Sequence, residues 1–447
     1  MPLDAALDKP CHIAVIGSGI AGLSAAWLLA RRHHVTVFEK DSWAGGHANT
    51  VAVAGPTGAA PVDTGFVVYN ERNYPNFTAL LAHLGVGSNP SSMSFAVSLP
   101  GFEYDAASLK RIADCGANIL RPRFWTMTRD ILRFYRTVPA LLDQPATRGL
   151  TLGDYLAQER YSTSFCEDHL LPMSAAIWST TRARMRDYPL NAFIRFFASH
   201  QLLSLGERVI WRSIAGGARR YVERLSADFG PGLRTGLAVR RIARQQGRVL
   251  IEDQSGRRHS FDHAVVATHA DQALALLDDA DEEEQALLGP LRYSTNRTLL
   301  HSDVTLMPRS RRVWSSWNVI SPPQPEPDRA LCVTYWMNRL QNLPGARQYF
   351  VTLNPLREPR PDLVHREFIY QHPCFDHAAL SAQRRLPLLQ GKRNTWFCGS
   401  YFGYGFHEDA LQSGLAAAED LGGVRRPWNV AGESARIARH ALGLAAE

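Results

Sequence analysis

The run Gly17-Ser18-Gly19-Ile20-Ala21-Gly22 constrains this chain more than any other stretch, because apolar segments bracket it on both sides. Residues 12–16 read as a short buried strand, the residues after the glycines read as a helix, and residues 35–38 read as a second strand closed by Glu39. Strand, tight turn, helix and strand in that order build a parallel βαβ unit. Each glycine has its own task. Gly17 permits the turn, Gly19 lets the backbone approach a pyrophosphate, and Gly22 lets the helix pack closely on the strand. The helix start, with Ser18, Ile20 and Ala21 around it, offers free N–H groups and a partial positive charge to that anion. Glu39 lies about 20 positions on, where a carboxylate accepts hydrogen bonds from both ribose hydroxyls of an adenosine and repels a 2′-phosphate. The expected fold class is α/β, built on a Rossmann-type dinucleotide-binding unit.

Composition narrows the rest. The chain has 447 residues, enough for two or three units and a large core without metal or disulfide staples. Its six cysteines (Cys11, Cys115, Cys166, Cys332, Cys374 and Cys398) form no C-x-x-C pair, so no zinc or other metal site is expected. Reduced thiols in a cytoplasmic protein are the simplest reading. Only four of the 49 basic residues are lysine, and the net charge of +7 favours anionic partners, lipid headgroups among them. No nucleic-acid motif accompanies that charge, so no nucleic-acid partner is expected. The apolar stretch 13–30 follows Asp4 and Asp8 rather than a basic segment, and its glycines sit at motif spacing. Neither an export signal nor a membrane span is expected there.

Three later segments separate the candidate cofactors. Lys40-Asp41-Ser42-Trp43-Ala44-Gly45-Gly46-His47 follows the second strand, and Asp63-Thr64-Gly65-Phe66 follows after a short gap. Residues 236–242, 248–252 and 264–268 read as returning strands that include Val239 and Ala267. Near the end, Thr395-Trp396-Phe397-Cys398-Gly399-Ser400 leads through Tyr404-Gly405-Phe406-His407-Glu408-Asp409-Ala410 to Ser413 and an alanine-rich helix. In this order the segments resemble the flavin amine oxidase and phytoene-desaturase-like superfamily. The resemblance implies one non-covalent FAD in a two-dinucleotide-binding fold, touched by Lys40, Gly45, Gly46, His47, Gly65, Phe66, Val239, Ala267, Gly399, Ser400, Asp409, Ala410 and Ser413. Backbone N–H groups around Asp409 and Ala410 are then expected at the flavin edge where negative charge develops on reduction. His47 stands where the superfamily usually has arginine, and Ser400 where it often has an acid. The implied cofactor domain is discontinuous (residues 9–84, 206–290 and 394–447), and residues 85–205 and 291–393 form a mixed α+β substrate domain. No second G-x-G-x-x-G is present to hold a pyridine nucleotide.

A flavin site needs apolar and aromatic walls with few titratable groups. Tyr69, Trp178, Tyr401, Tyr404 and His407 are candidates for them, and His407, Tyr404 and Tyr69 are the expected catalytic residues. Amine oxidases of the superfamily often use a lysine near the flavin, yet neither Lys110 nor Lys392 lies in a matching motif. Runs such as Gly45-Gly46-His47-Ala48-Asn49-Thr50 and Trp211-Arg212-Ser213-Ile214-Ala215-Gly216-Gly217 resemble a bacterial group of NAD/FAD-binding proteins. Some members are similar to the flavin-dependent desaturase of methyl-branched fatty acyl chains in furan fatty acid formation. That likeness implies an apolar lipid substrate that gains a further double bond. The alternative is an amine or amino-acid oxidase, in which Arg182, Arg184 and Arg186 would hold a carboxylate. One amphipathic segment bears on location. Phe124, Met127, Ile131, Phe134 and Tyr135 share a helix face opposite Arg129, Arg133 and Arg136. That face fits either the core or an anionic bilayer at the inner face of a membrane. The sequence leaves the oligomeric state open.

Overall fold

The computed structural model describes residues 9–55, 58–105, 116–203, 209–322, 324, 326 and 328–439. Asp4, Asp8, Lys110, Cys115 and the segment ends 206–208 and 440–447 lie outside the described residues.

The glycine run sits as its pattern requires. The strand His12–Ile16 enters it, the helix Ile20–Leu29 leaves it, and His34–Phe38 returns beside the first strand. These strands belong to a five-stranded sheet ordered Leu233–Arg234, His34–Phe38, His12–Ile16, His263–Val266 and Thr395–Phe397. Every pairing in it is parallel. All five strands come from residues 9–84, 206–290 and 394–447. The helix Ile20–Leu29 is buried on all sides, as its uniformly apolar sequence demands. It lies between this sheet and the carboxyl-terminal helix His407–Gly422. A Cβ at Gly414 would fall 2.5 Å from Ser24 Oγ, so only glycine lets the two helices approach this closely.

A second sheet draws its strands from residues 85–205 and 291–393. Its seven strands run in the order Val364–Cys374, Arg292–His301, Phe350–Leu353, Cys332–Trp336, Trp317–Ile320, Phe95–Leu99 and Phe102–Asp105. All neighbours are antiparallel except Trp317–Ile320 with Phe95–Leu99. A small sheet joins Tyr69–Asn70, Trp211–Ile214 and Ser88–Ser91, so it straddles the boundary expected at residue 84.

The helix Pro122–Thr137 decides between the two readings of its apolar face. Phe124, Met127, Ile131 and Phe134 are all buried in the main core. Phe134 meets Phe165 at 5.3 Å and Tyr161 at 5.6 Å between ring centroids. The bilayer reading of this face is therefore corrected: protein aromatics already cover it, which the segment's own pattern could not show. Beside that face Arg123 makes a two-pronged contact with the buried Asp168 at 2.6 Å, and on the opposite side Arg133 reaches Glu159 at 2.6 Å. Among the described residues, no helix is long and apolar enough to cross a membrane.

Candidate functional site

One cavity of about 1010 Å³ runs from the glycine turn to the seven-stranded sheet. That volume is at the upper end of small-molecule sites, which span roughly 300–1,000 Å³. At the nucleotide end its wall includes Gly17, Ser18, Gly19, Ile20, Ala21, Glu39 and Lys40. Gly17 has φ of +100°, the left-handed region, and a Cβ there would sit 2.9 Å from the Ala267 carbonyl oxygen. A Cβ at Gly22 would overlap the Gly17 carbonyl and approach Ala267 Cβ at 3.1 Å, so Gly22 shapes the turn from behind and does not line the cavity. Gly19 differs. A Cβ there meets nothing within 4 Å, because the position opens onto the cavity at the start of the helix. That open, N–H-rich concavity is what a pyrophosphate requires. Glu39 is nearly fully buried and accepts from Ser18 N–H at 2.9 Å, Ser18 Oγ at 2.6 Å and Asp41 N–H at 2.9 Å. These bonds hold its carboxylate against the turn, where an adenosine ribose has to pass.

The middle of the cavity is built by the second glycine segment. Gly45 N–H donates to the Ser18 carbonyl at 3.0 Å and clamps that segment onto the phosphate loop. Gly65 packs against the His47 backbone, where a Cβ would collide. Gly46, His47, Phe66, Val239 and Ala267 all line the void. Beneath them Asp63 accepts from Thr50 Oγ1 at 2.5 Å, Ala218 N–H at 2.9 Å and Gln341 Nε2 at 2.8 Å. Burial pushes the Asp63 carboxyl up to about 7, against the pull of those bonds.

At the carboxyl-terminal end, Gly399, Ser400, Tyr401, His407 and Ala410 reach the cavity. Ser413 Oγ accepts from Gly399 N–H at 2.9 Å and so fixes the strand end over the helix without lining the void. The structure corrects one detail of the expected edge. Ala410 N–H is taken by the Phe406 carbonyl at 3.1 Å, leaving the first-turn amides of 407–409 without a partner inside their own helix. The Asp409 side chain turns away, since Arg436 Nε binds it at 2.7 Å and Phe406 N–H at 2.8 Å.

The expected catalytic trio is not brought together. His407 lines the cavity, stacks on Phe66 at 3.7 Å and is hydrogen-bonded to Tyr221 at 2.8 Å through Nε2. Burial and the neighbouring His47 push it down to about 3, so it is neutral at physiological pH. Tyr69 and Tyr404 do not line the cavity. Tyr69 is committed to the small sheet and packs edge-on against Phe77 at 5.1 Å, and Tyr404 packs on Phe196 with Arg436 over its ring. Both are aromatic packing at the margin of the site.

Several wall residues carry no motif. On the strand Val364–Cys374, the stripe Phe368, Tyr370 and His372 lines the void, joined by His269, Tyr293, Trp317 and Tyr335. The period-two aromatic stripe was the signal that could have found them. Trp178 Nε1, Tyr401 Oη and His47 Nε2 are buried without hydrogen-bond partners. Arg182, Arg184 and Arg186 stay out of the cavity. Glu167 pairs with Arg182 and Arg186, and Arg184 points to the Cys374 sulfur at 3.0 Å. Lys392 is paired with Glu283 outside the cavity wall.

The sequence profile of the flavin containing amine oxidoreductases matches residues 20–295, more than half of the chain. The chain belongs to that family. Membership supplies FAD as the cofactor, and the open face at Gly19, the buried acceptor Glu39 and the helix start at His407 suit its two ends. A Mycobacterium tuberculosis protein named as the flavin-containing monoamine oxidase AofH is 26% identical over 277 residues. That match covers 57% of each chain, so this chain spans little more than half the length of the curated relatives it matches. Among solved structures, an Exiguobacterium protein named as a protoporphyrinogen oxidase superposes with a TM-score of 0.65 at 15% identity, covering 93% of this chain and 99% of that one. A fatty acid isomerase of P. acnes that produces CLA superposes with a TM-score of 0.64 at 16% identity, over 93% and 98%. At such identities the likeness is one of fold.

Proposed function

We propose that this flavin-family protein is an FAD-dependent oxidoreductase whose substrate is an apolar acyl chain, of the methyl-branched unsaturated kind, which gains a further double bond. The observation that carries this reading is the character of the cavity beyond the nucleotide loops. Its wall there is built by Met93, Ile177, Trp178, Phe196, Leu202, Trp211, Leu340, Val351 and Leu353. Among the described lining residues, the acids and lysine are Glu39, Lys40 and Asp41 at the nucleotide end and Glu367, which Arg297 already holds at 2.9 Å. The five histidines that line the cavity, His47, His200, His269, His372 and His407, are all held neutral by burial. Among the described residues no arginine lines the void to hold a carboxylate, which weakens the amino-acid oxidase reading.

When bound, FAD supplies the two-electron oxidation, and the protein's task is to hold the substrate carbon and exclude water. The glycine turn and the amides of 407–409 would grip the cofactor, while the aromatic stripe of Val364–Cys374 and the Trp178 side face the substrate. Family membership and the monoamine oxidase relative favour the amine reading, so the test has to separate the two. Anaerobic titration of the holoprotein with methyl-branched unsaturated phospholipid, then with primary amines, reads the loss of flavin colour. Bleaching by the lipid alone is expected. Bleaching by amines alone overturns the proposal.

A further inference from the structure

A relay of amides fixes the proton of one imidazole in the cavity wall. A backbone N–H can only donate, so the bond from Arg297 N–H at 3.2 Å marks Oδ1 of Asn354 as its acceptor. Asn354 Nδ2 then donates to the Leu331 carbonyl at 3.3 Å and to Asn296 Oδ1 at 2.7 Å. With its oxygen engaged, the fully buried Asn296 turns Nδ2 to His372 and donates to Nδ1 at 3.0 Å. A ring nitrogen that accepts carries no proton, so the His372 imidazole is neutral and its proton sits on Nε2. Burial and the neighbouring His47 act in the same sense and push His372 down to about 3. The ring lines the cavity, and no described residue accepts from Nε2. His47 Nε2 is sealed by protein, whereas His372 Nε2 keeps access to the void. His372 pairs across the sheet with Ser294, and its ring stands 5.3 Å from that of His47. The donor thus lies where the seven-stranded sheet meets the second glycine segment.

We propose that His372 is a specificity residue whose Nε2–H donates to an uncharged acceptor of a ligand in the cavity, a carbonyl oxygen or an imine-type nitrogen. A neutral imidazole offers one directed hydrogen bond and no countercharge, so a carboxylate or phosphate buried beside it goes uncompensated. A protonated amine, which can only donate, finds no partner there. A ligand that covers Nε2–H without offering an acceptor takes away its hydrogen bond to water, and that loss is the source of the selection. Two ligands of the proposed reaction carry a suitable group. The isoalloxazine has ring carbonyls and imine nitrogens, and an acyl ester has its carbonyl. The first source rests on family membership, the second on the proposed function.

The tautomer is tested first, on wild-type FAD-loaded protein labelled with 15N-histidine. Long-range proton–nitrogen spectra distinguish the two neutral tautomers, and the signals missing from His372→Phe identify the ring. Protonated Nε2 with bare Nδ1 is expected; the reverse, or an imidazolium at neutral pH, overturns the proposal. Two titrations then locate the acceptor. Apoprotein is titrated with FAD by fluorescence, and FAD-loaded protein with methyl oleate and with octadecene, which lacks the ester, by the visible flavin spectrum. His372→Phe should lose about 3- to 10-fold, the size of one neutral hydrogen bond, in FAD affinity or in preference for ester over hydrocarbon. The quantity that moves identifies the source. His372→Gln keeps an N–H donor and should recover part of the loss, which a role in packing alone would not give. If neither quantity moves, the proposal falls while the oxidoreductase reading stands. Wild-type protein that binds neither probe counts against the acyl substrate alone and leaves FAD affinity to decide. A protein that takes up no FAD sinks both proposals.

Discussion

Replacing Gly19 by alanine separates the cofactor's needs from the fold's. In this structure Gly19 has φ of −63° and ψ of 174°, a conformation that alanine adopts without strain. Its added methyl meets no atom within 4 Å. Glycine-to-alanine changes at such compatible positions stabilise by roughly 0.4–1 kcal/mol, because the unfolded chain loses freedom. The apoprotein should therefore melt no lower than wild type. Cofactor binding should respond in the opposite direction, since the methyl fills the space where the pyrophosphate has to approach the helix start. Losing one hydrogen bond to a charged group amounts to about 1.5–3 kcal/mol, or roughly ten- to hundredfold in affinity. Gly22→Ala is the control: its Cβ overlaps the Gly17 carbonyl, and overpacking of this kind costs about 1–3 kcal/mol or more of stability. Thermal unfolding of apoprotein and fluorescence titration with FAD measure both quantities. Gly19→Ala protein that binds FAD like wild type, or that loses as much apoprotein stability as Gly22→Ala, refutes this assignment of the two glycines.

Other expectations follow from the same geometry. Glu39→Gln removes the charge that gathers two hydrogen bonds from Ser18 and one from Asp41, and FAD titration should show about tenfold weaker binding, near 1.4 kcal/mol. Asp63→Ala leaves the buried donors of Thr50, Ala218 and Gln341 without an acceptor, and chemical denaturation should show a loss of about 2–4 kcal/mol. Acidification should destabilise the apoprotein through its buried imidazoles. His47 is held near 4, and His372 and His407 near 3, against about 6.5 in the unfolded chain. Between those values the unfolded chain binds protons that the native state refuses, so stability is full above pH 6.5 and falls as the pH drops towards 4. Each histidine contributes at most about 1.4 kcal/mol per pH unit. A denaturation midpoint unmoved between pH 7 and pH 5 contradicts this.

The parts of the site that could be read from residues alone are those in which one local pattern fixes one backbone shape. Gly17, Gly19 and Gly22 sit at a spacing that only a strand-to-helix turn uses, and the acid at Glu39 falls where the returning strand must end. Packing information was missing elsewhere. Tyr404 and Tyr69 stand next to motif residues in the chain, yet their rings are claimed by Phe196 and Phe77. The apolar face of Pro122–Thr137 has the same pattern whether a bilayer or Phe165 covers it, and only the tertiary contacts distinguish these. The helix start marks Asp409 for its backbone N–H, but nothing in the local pattern shows that Arg436, 27 residues on, holds its carboxylate. His372 belongs to no motif, and the Asn296 amide bonded to its ring is held in turn by Asn354, residues distant in sequence that meet only across the seven-stranded sheet.

The central claim is that the amino-terminal turn and the start of the carboxyl-terminal helix hold opposite ends of one FAD. Heat release of the cofactor from purified protein, followed by chromatography and absorbance, measures it directly. One FAD per chain is expected, together with full reuptake of FAD by stripped protein and at least tenfold weaker reuptake by Gly19→Ala. Colourless protein that releases no flavin and takes up none on addition contradicts the account.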